Sequence, residues 1–444
     1  MLREKSYNFV MDEAGGGTVM GLLWFMLLVG ICGLAVDVTD GFRNRTMLQA
    51  TADATALAAA IDLPDASIVV ATANTFSTDN MGIDVNGDVL DDTDVHIGLW
   101  DAATQSLDTG SAFPDAVMVT VNRSASNDNA VPVNFLRIIG LQTWNVTAQA
   151  VAQRFIPECL KDGLIAREFV DISSNNGFVR NICVHGEQGV NIQSNNFFEA
   201  GVNVSMPSLD MLELPASGME SNPGLPEALR ENHLDPRMVN HIDEIIDKLL
   251  DPSLDIDAEK VIPSYINSEL PVMEVDNKVD FANLEQGRIY HIDCRGNPTV
   301  SLPEGITLSN VVIVIECSLI VNPGSLLTNV VLASYRVGHG QNATDLVNIT
   351  IAANVQLGEP DNCMPGGGVQ IFSPASVKIA SSATIDGLQI VAANDIELGA
   401  SDMGINGISA QAGGDITLTS NNMFGLCSGG APNLFTVNYY RLVL

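Results

Sequence analysis

Basic residues are scarce in this sequence: 20 Lys and Arg stand against 53 Asp and Glu in 444 residues, a formal charge of −33. Nucleic-acid binding exchanges phosphate counterions for Lys and Arg on a basic surface, so the composition excludes that class. Anionic lipid headgroups would repel the bulk of the chain for the same reason. Aromatics are also few, at 5%. Disorder is not the default, because 46% hydrophobic and 16% charged residues leave enough apolar material for packed cores. Few aromatics with abundant Gly, Ala, Val, Ile, Asn and Ser point to β-rich, repetitive packing, and the length implies roughly two to four domains.

Motifs that carry chemistry are missing as well. There is no C-x-x-C pair, which argues against a zinc ribbon or a thioredoxin-type dithiol. No G-x-S-x-G, P-loop or dinucleotide fingerprint occurs in a strand-to-helix context. The six histidines, His96, His185, His233, His241, His291 and His339, stand apart in sequence, and the eight-residue gap between His233 and His241 is not ligand spacing. The acidic stretch Asp84 to Asp94 lacks EF-hand spacing and reads as a solvated loop, with calcium as the alternative. The expectation is therefore no catalytic residue, no cofactor and no metal.

Of seven cysteines, Cys32 lies in the strongest apolar run. Cys159, Cys183, Cys294, Cys317, Cys363 and Cys427 could form three disulfides in any of fifteen connectivities, by the counting rule for six thiols. The near neighbours Cys159 with Cys183 and Cys294 with Cys317 are the simplest pairing, and buried free thiols are the alternative.

One long hydrophobic run is present, Ala14 to Val36, bounded by Glu13 and Asp37. A helix rising about 1.5 Å per residue over that run reaches the roughly 30 Å of a bilayer core. A cleavable signal peptide is the alternative, since Gly33-Leu34-Ala35 offers small residues; the acidic Glu4, Asp12 and Glu13 ahead of the run favour a retained anchor. Disulfides would belong in an oxidising compartment, which would place the short N-terminus in the cytoplasm. After the run, Met47, Ala50, Ala54, Leu57 and Ile61 recur at steps of three and four, one face of a helix that ends at Pro64. Alternation then marks strands: Val117, Val119 and Val121 share one face, and Val146, Ala148, Ala150 and Ala152 another, with the apolar turn Phe135 to Leu141 between them.

These residues carry a resemblance. Asp12-Glu13-Ala14-Gly15-Gly16, Gly33-Leu34-Ala35-Val36-Asp37, the Ala-rich Leu48 to Ala60, Ile97-Gly98-Leu99-Trp100-Asp101, Ala116 to Val121, and Phe135 to Ala152 together resemble the N-terminal region of TadG-like proteins of the tight-adherence (Tad, Flp pilus) assembly systems, over about residues 13–153. The resemblance implies a pseudopilin-like domain, a bacterial inner-membrane anchor and pilus or pseudopilin subunits as partners. The sequence departs from processed pilins in one respect: Leu22, not Glu, follows Gly17 at the fifth position.

In the remainder, short apolar segments recur with a period near 20: Val312, Val331, Ile349, Val369, Leu388 and Ile408, trailed by Val377, Ile396 and Ile416. Two staggered strand sets with one coil length predict a parallel β-helix. A β-sandwich is the alternative. The expected organisation is a cytoplasmic segment 1–13, a transmembrane helix 14–36, a stalk helix 37–63, a small α+β pseudopilin-like domain 64–155, first β-helix coils 156–205, a helical, Pro-rich insertion 206–277 and a main β-helix 278–444. Within the insertion, a helix capped by Asp235 should bury Met238, Val239, Ile242, Ile245, Ile246 and Leu249 and cover an end of the β-helix.

The function expected is a membrane-anchored, non-enzymatic assembly or anchoring component, with the lipid bilayer as partner through 14–36 and an envelope or surface ligand as partner of the β-helix. The alternatives are a glycan- or protein-binding β-helix module and a polysaccharide-degrading β-helix using Asp386, Glu397, Asp402 and Asp415. The scarcity of Lys and Arg near those carboxylates argues against an acidic polysaccharide substrate.

Overall fold

The computed structural model describes residues 16–444 apart from 162, 255–260, 336–347, 362–363, 365, 402–403 and 426–434. The expectations for residues 1–13, His339, Cys363, Asp402 and Cys427 fall outside the described residues. The chain divides into two units, residues 1–155 with 438–444, and residues 156–437.

Unit 1 is built on one unbroken helix, α1 (Gly16–Ala60), 45 residues long. No proline occurs before Pro64, and Ala dominates its second half, so nothing interrupts the backbone ladder. The anchor 14–36 and the stalk 37–63 share this one continuous element from Gly16 onward. Residues 17–32 are exposed on all sides, after which Gly33, Asp37, Gly41, Asn44, Leu48, Thr51, Thr55 and Ala59 are buried at steps of three and four. A 15-residue helix, α2 (Ala66–Asn80), follows, its N-cap Asp65 accepting from the N–H groups of Ser67 and Ile68.

Helix α1 packs on an antiparallel sheet of β1 (Val95–Asp101), β2 (Ser106–Asp108), β3 (Ala116–Arg123) and β6 (Val146–Phe155), ordered β2-β1-β3-β6. A separate two-stranded pair joins β4 (Val131–Pro132) and β5 (Thr143–Trp144). The alternation read from sequence is found in register: Val117, Val119 and Val121 stand opposite Ala152, Ala150 and Ala148. Both faces join Leu48, Ala52, Ala56 and Ala59 of α1 in one core. Alanine on both helix and strand is what lets the helix axis lie close to the sheet. The fifth strand, Tyr439–Leu442, pairs with β6, so the last seven residues belong to unit 1 and not to the β-rich region in which the sequence placed them.

Unit 2 is a large all-β region of two parallel sheets that share one core of Val, Ile, Leu and Phe. The period near 20 is realised as strand register: Val369 pairs with Leu388 and Leu388 with Ile408 in one sheet, and Val377 with Ile396 and Ile396 with Ile416 in the other. Two readings need correction. Ile349 belongs to the second sheet, paired with Leu319 and Val377. Val331 is followed across the sheet by Gln370, whereas Val369 follows Val330. That one-residue slip moves a side chain to the opposite face. Neither face could reveal it, because five consecutive residues from Val311 to Ile315 and from Val330 to Ser334 are all buried.

Chain order and stacking order also differ. Strand Gly163–Ala166 pairs with Ile405–Ala412, and Phe169–Ile172 with Ile416–Leu418, so the strands of the segment 156–205, expected as the first coils, are stacked beyond the C-terminal strands. A buried asparagine ladder crosses this junction: the Asn422 N–H donates to Asn176 Oδ1, Asn176 to Asn196 and Asn196 to Asn222. Phe424, Phe178 and Phe198 stack beside it with centroids 5.2 and 5.0 Å apart. The segment between Glu231 and Met273 links the two ends of the larger sheet. Its helix α3 (Ile242–Leu250) buries the apolar set expected of it, but against Val312, Val314, Val331, Ala333, Phe372 and Val391 on the outward side of the sheet. It covers a face, not an end. Nor does Asp235 cap it: that carboxylate holds Arg167 at 3.0 Å, and Arg237–His241 forms a 3₁₀ turn first.

Candidate functional site

The transition from exposed to buried along α1 is held by one carboxylate. Asp37 is 3% exposed. Its Oδ1 accepts from the Asn134 N–H at 2.9 Å and its Oδ2 from the N–H groups of Phe135 and Leu136 at 2.9 and 2.7 Å. Those donors open the 3₁₀ turn Leu136–Ile139, whose first N–H groups have no partner within the turn. Glycine at two positions of α1 permits the approach. A Cβ on Gly33 would lie 2.7 Å from Phe135 Cβ, and one on Gly41 2.4 Å from the Trp144 ring. Beside this contact a cavity of about 440 Å³ is lined by Val38, Gly41, Phe42, Arg45 and Trp144 to Thr147. Further along, Arg123 bridges Asn44 Oδ1 at 2.7 Å and the Asn129 carbonyl at 2.9 Å.

The helical face read from sequence lies on the side of α1 away from this core. Met47 and Ala50 on α1 and Ile61 just past its end are exposed, and Ala54 and Leu57 are half-buried, Leu57 at the edge of the core, while Leu48, Ala52, Ala56 and Ala59 lie in the core. Exposed Ile68 and Phe76 on α2 add to the apolar surface of the unit.

Four histidines taken as isolated are not. In unit 2, His185 and Ser205 are register partners on adjacent strands. His185 Nδ1 lies 2.9 Å from Ser205 Oγ and its Nε2 2.9 Å from Glu187 Oε2. Glu187 also meets His233 Nδ1 at 2.7 Å and accepts the Leu234 N–H. Burial holds His185 below the usual imidazole range, against the pull of Glu187. Burial works against the Glu187 charge too, yet the bonds from His233, His185 and Leu234 outweigh it and keep its carboxyl low. A neutral ring therefore donates through Nε2 to the carboxylate and accepts the Ser205 hydroxyl at Nδ1. The order serine, histidine, acid is that of a hydrolase, but His185 is 0% and Ser205 1% exposed, so no acyl group can reach the oxygen. The second cluster joins His291 to Glu274 at 2.6 Å, Glu316 at 3.2 Å and the Tyr335 hydroxyl. Burial, then the Glu316 charge, push the Tyr335 phenol up. Both clusters tie strands of the larger sheet together. The spacing of paired strands was the signal that could have found the first: His185 and Ser205 are 20 residues apart. His233 is exposed, as expected, and His241, half-buried, meets Glu244 at 2.9 Å.

Of the carboxylates of the enzyme alternative, the three among the described residues hold separate partners. Asp386 lies in the larger sheet opposite Asn406, Glu397 pairs with Lys378 at 2.7 Å, and Asp415 accepts the Phe169 N–H. In the acidic loop, Asp88 and Asp91 accept the N–H groups of Leu90 and Thr93, while Asp92 and Asp94 take the amides of Asn74 and Asn122. Among the described residues no group of three or more His, Cys, Asp or Glu is placed to hold a metal ion. Cys159–Cys183 and Cys294–Cys317 are disulfides with Cα separations of 5.1 and 6.1 Å, the two near-neighbour pairings. Cys32 is free and exposed on α1.

Three family models match the sequence. One described as a TadE/G-like Flp pilus-assembly family covers residues 15–62, and one described as Tad-like Flp pilus-assembly covers 44–152. A domain of unknown function, DUF7867, covers 163–428, more than half of the chain. The resemblance to TadG-like proteins read from residues 13–153 is thus found by two models, and α1 is the one described helix long and apolar enough to cross a membrane. No curated protein and no solved structure matches.

Proposed function

We propose that this chain, which belongs to the DUF7867 family, is a membrane-anchored, non-enzymatic assembly or anchoring component of a Tad-type (Flp) pilus system. The bacterial inner membrane holds it through α1, and the disulfide-bearing bulk lies on the periplasmic or extracellular side, where thiols oxidise. The observation that carries the reading is the continuity of α1 within the Tad-matched interval: its first half is apolar and exposed, its second half buries small residues in an α+β unit. The action is mechanical. Lipid holds the first half, and pilus or pseudopilin subunits meet the outward face that carries Met47 and Ile61. Unit 2 is a parallel β-helix in this reading, supported by strand registers near 20 residues in two sheets, and it presents a surface to an envelope ligand. Deleting residues 14–61 should release the protein from the membrane and abolish pilus production; retention of both would contradict the role. A glycan- or protein-binding module is the second reading, favoured by the separate core of unit 2. It requires that the ligand still be captured by a chain whose α1 face is altered.

A further inference from the structure

We propose that the turn Phe135–Leu141 is a second membrane contact, a collar of apolar side chains lying in the lipid interface where α1 leaves the bilayer. The inference rests on the reading of α1 as a membrane span and adds a lipid-binding surface to it.

Depth is fixed by Phe135, which packs on Gly33 inside the apolar run. At about 1.5 Å per residue, Gly33 lies about 5 Å before Val36, the last residue ahead of the first charge. The Phe135 ring is therefore level with the final turn of the span. Asp37 would ordinarily mark the water boundary, but both its oxygens are taken by backbone N–H groups of this same turn and it is almost wholly covered. Its charge faces neither lipid nor solvent, so the apolar level continues past it.

What the turn displays fits that level. Phe135 is 44%, Leu141 39% and Ile138 88% exposed. In water these side chains leave apolar surface uncovered at a cost in free energy that grows with its area, and the acyl boundary removes that cost. The residues around them are of the interfacial kind: Arg137 in the turn, Arg43 and Arg45 on α1, and Trp144 against Gly41, two turns of helix beyond Gly33. Indole rings and cations concentrate at headgroup depth. Apolar side chains at the level of Gly33 and Trp and Arg from Gly41 onward follow the bilayer profile from acyl chains to headgroups.

The test uses the full chain with Cys32→Ala, reconstituted in phosphatidylcholine vesicles. Ile138→Cys carries an environment-sensitive fluorophore, with Phe25→Cys as a span reference and Val85→Cys, 82% exposed, as a water reference; the Cys32→Ala parent supplies the background. The Ile138 label should be blue-shifted and lose more intensity to lipids bearing a nitroxide near the headgroup than to lipids bearing it near the chain end. An Ile138 label that behaves like the Val85 label overturns the proposal. So does a blue shift without quenching by either lipid, the result of coverage by another protein chain. If the Phe25 label is itself unquenched, the span reading fails and the collar falls with it; if only the Ile138 label is unquenched, the span stands and the collar alone is lost.

Discussion

Replacing Asp37 by Ala would leave the N–H groups of Asn134, Phe135 and Leu136 without their acceptor. Unsatisfied buried donors cost about 1–3 kcal/mol each at most sites, so thermal unfolding of the detergent-solubilised chain should show unit 1 destabilised by a few kcal/mol, with Asp37→Asn losing less because one oxygen remains. An unchanged transition in Asp37→Ala would show the clasp to be idle. His185 gives a pH dependence. Burial depresses its folded pKa below 6.5, so the unfolded chain binds a proton that the folded one does not, and stability falls as pH drops through and below 6.5. Glu187, also depressed, loses its contribution at lower pH, as its carboxyl protonates below the usual 4.5. Hydrogen exchange in the strand Cys183–Gly186 should quicken between pH 7 and 5 after correction for the intrinsic rate, and His185→Gln should flatten that dependence. A flat profile in the unaltered chain would contradict the neutral, buried ring.

At the scale of elements, the buried stripe of α1 is made of residues whose small size is the point. Ala56 is fully buried among Val and Ala of β3 and β6. Ala56→Leu overpacks that seam and should cost about 1–3 kcal/mol in unit 1, read by chemical denaturation, whereas Ala50→Leu on the exposed side should be near neutral. Cys294–Cys317 closes a separation of 23 residues. Loop-closure entropy for such a loop gives about 3 kcal/mol, so Cys294→Ala with Cys317→Ala should lower the unfolding midpoint of unit 2; no change would mean that packing of the sheets alone sets it. Long periodic elements were the legible ones. Val117 to Val121, Ala148 to Ala152 and the helix around Ile242 to Leu249 announced their buried faces. The outward face of α1, read from Met47, Ala50, Ala54, Leu57 and Ile61, stood out in the sequence, whereas the buried stripe did not, because Gly, Thr and Ala make no apolar pattern.

At the scale of the whole molecule, chain order was the illegible part. Local alternation carries no record of which strand pairs with which, and Val330 is 39 residues from its partner Val369, near twice the 19 and 20 residues that separate Val369 from Leu388 and Leu388 from Ile408. One local signal did mark the stacking: Asn175-Asn176-Gly177-Phe178, Asn195-Asn196-Phe197-Phe198 and Asn421-Asn422-Met423-Phe424 repeat the pattern that builds the asparagine and phenylalanine ladders. The charge of −33 also has a structural place. The terminal strands of the larger sheet, Leu229–Glu231 and Met273–Asp276, carry Arg230, Glu231, Glu274 and Asp276, and charged edge strands resist pairing with another sheet. The hydrolase-like serine, histidine and acid were invisible in sequence and are closed to substrate in the fold, which leaves the helix and its outward face as the centre of the account. An aliphatic diazirine residue at Ile61, 61% exposed, tests that centre in cells assembling pili, with fully buried Leu48, a side chain of like size, as the reference. The account predicts an adduct with a pilus or pseudopilin chain from Ile61 and none from Leu48; no adduct from Ile61 in piliated cells, or the same adducts from both positions, would contradict it.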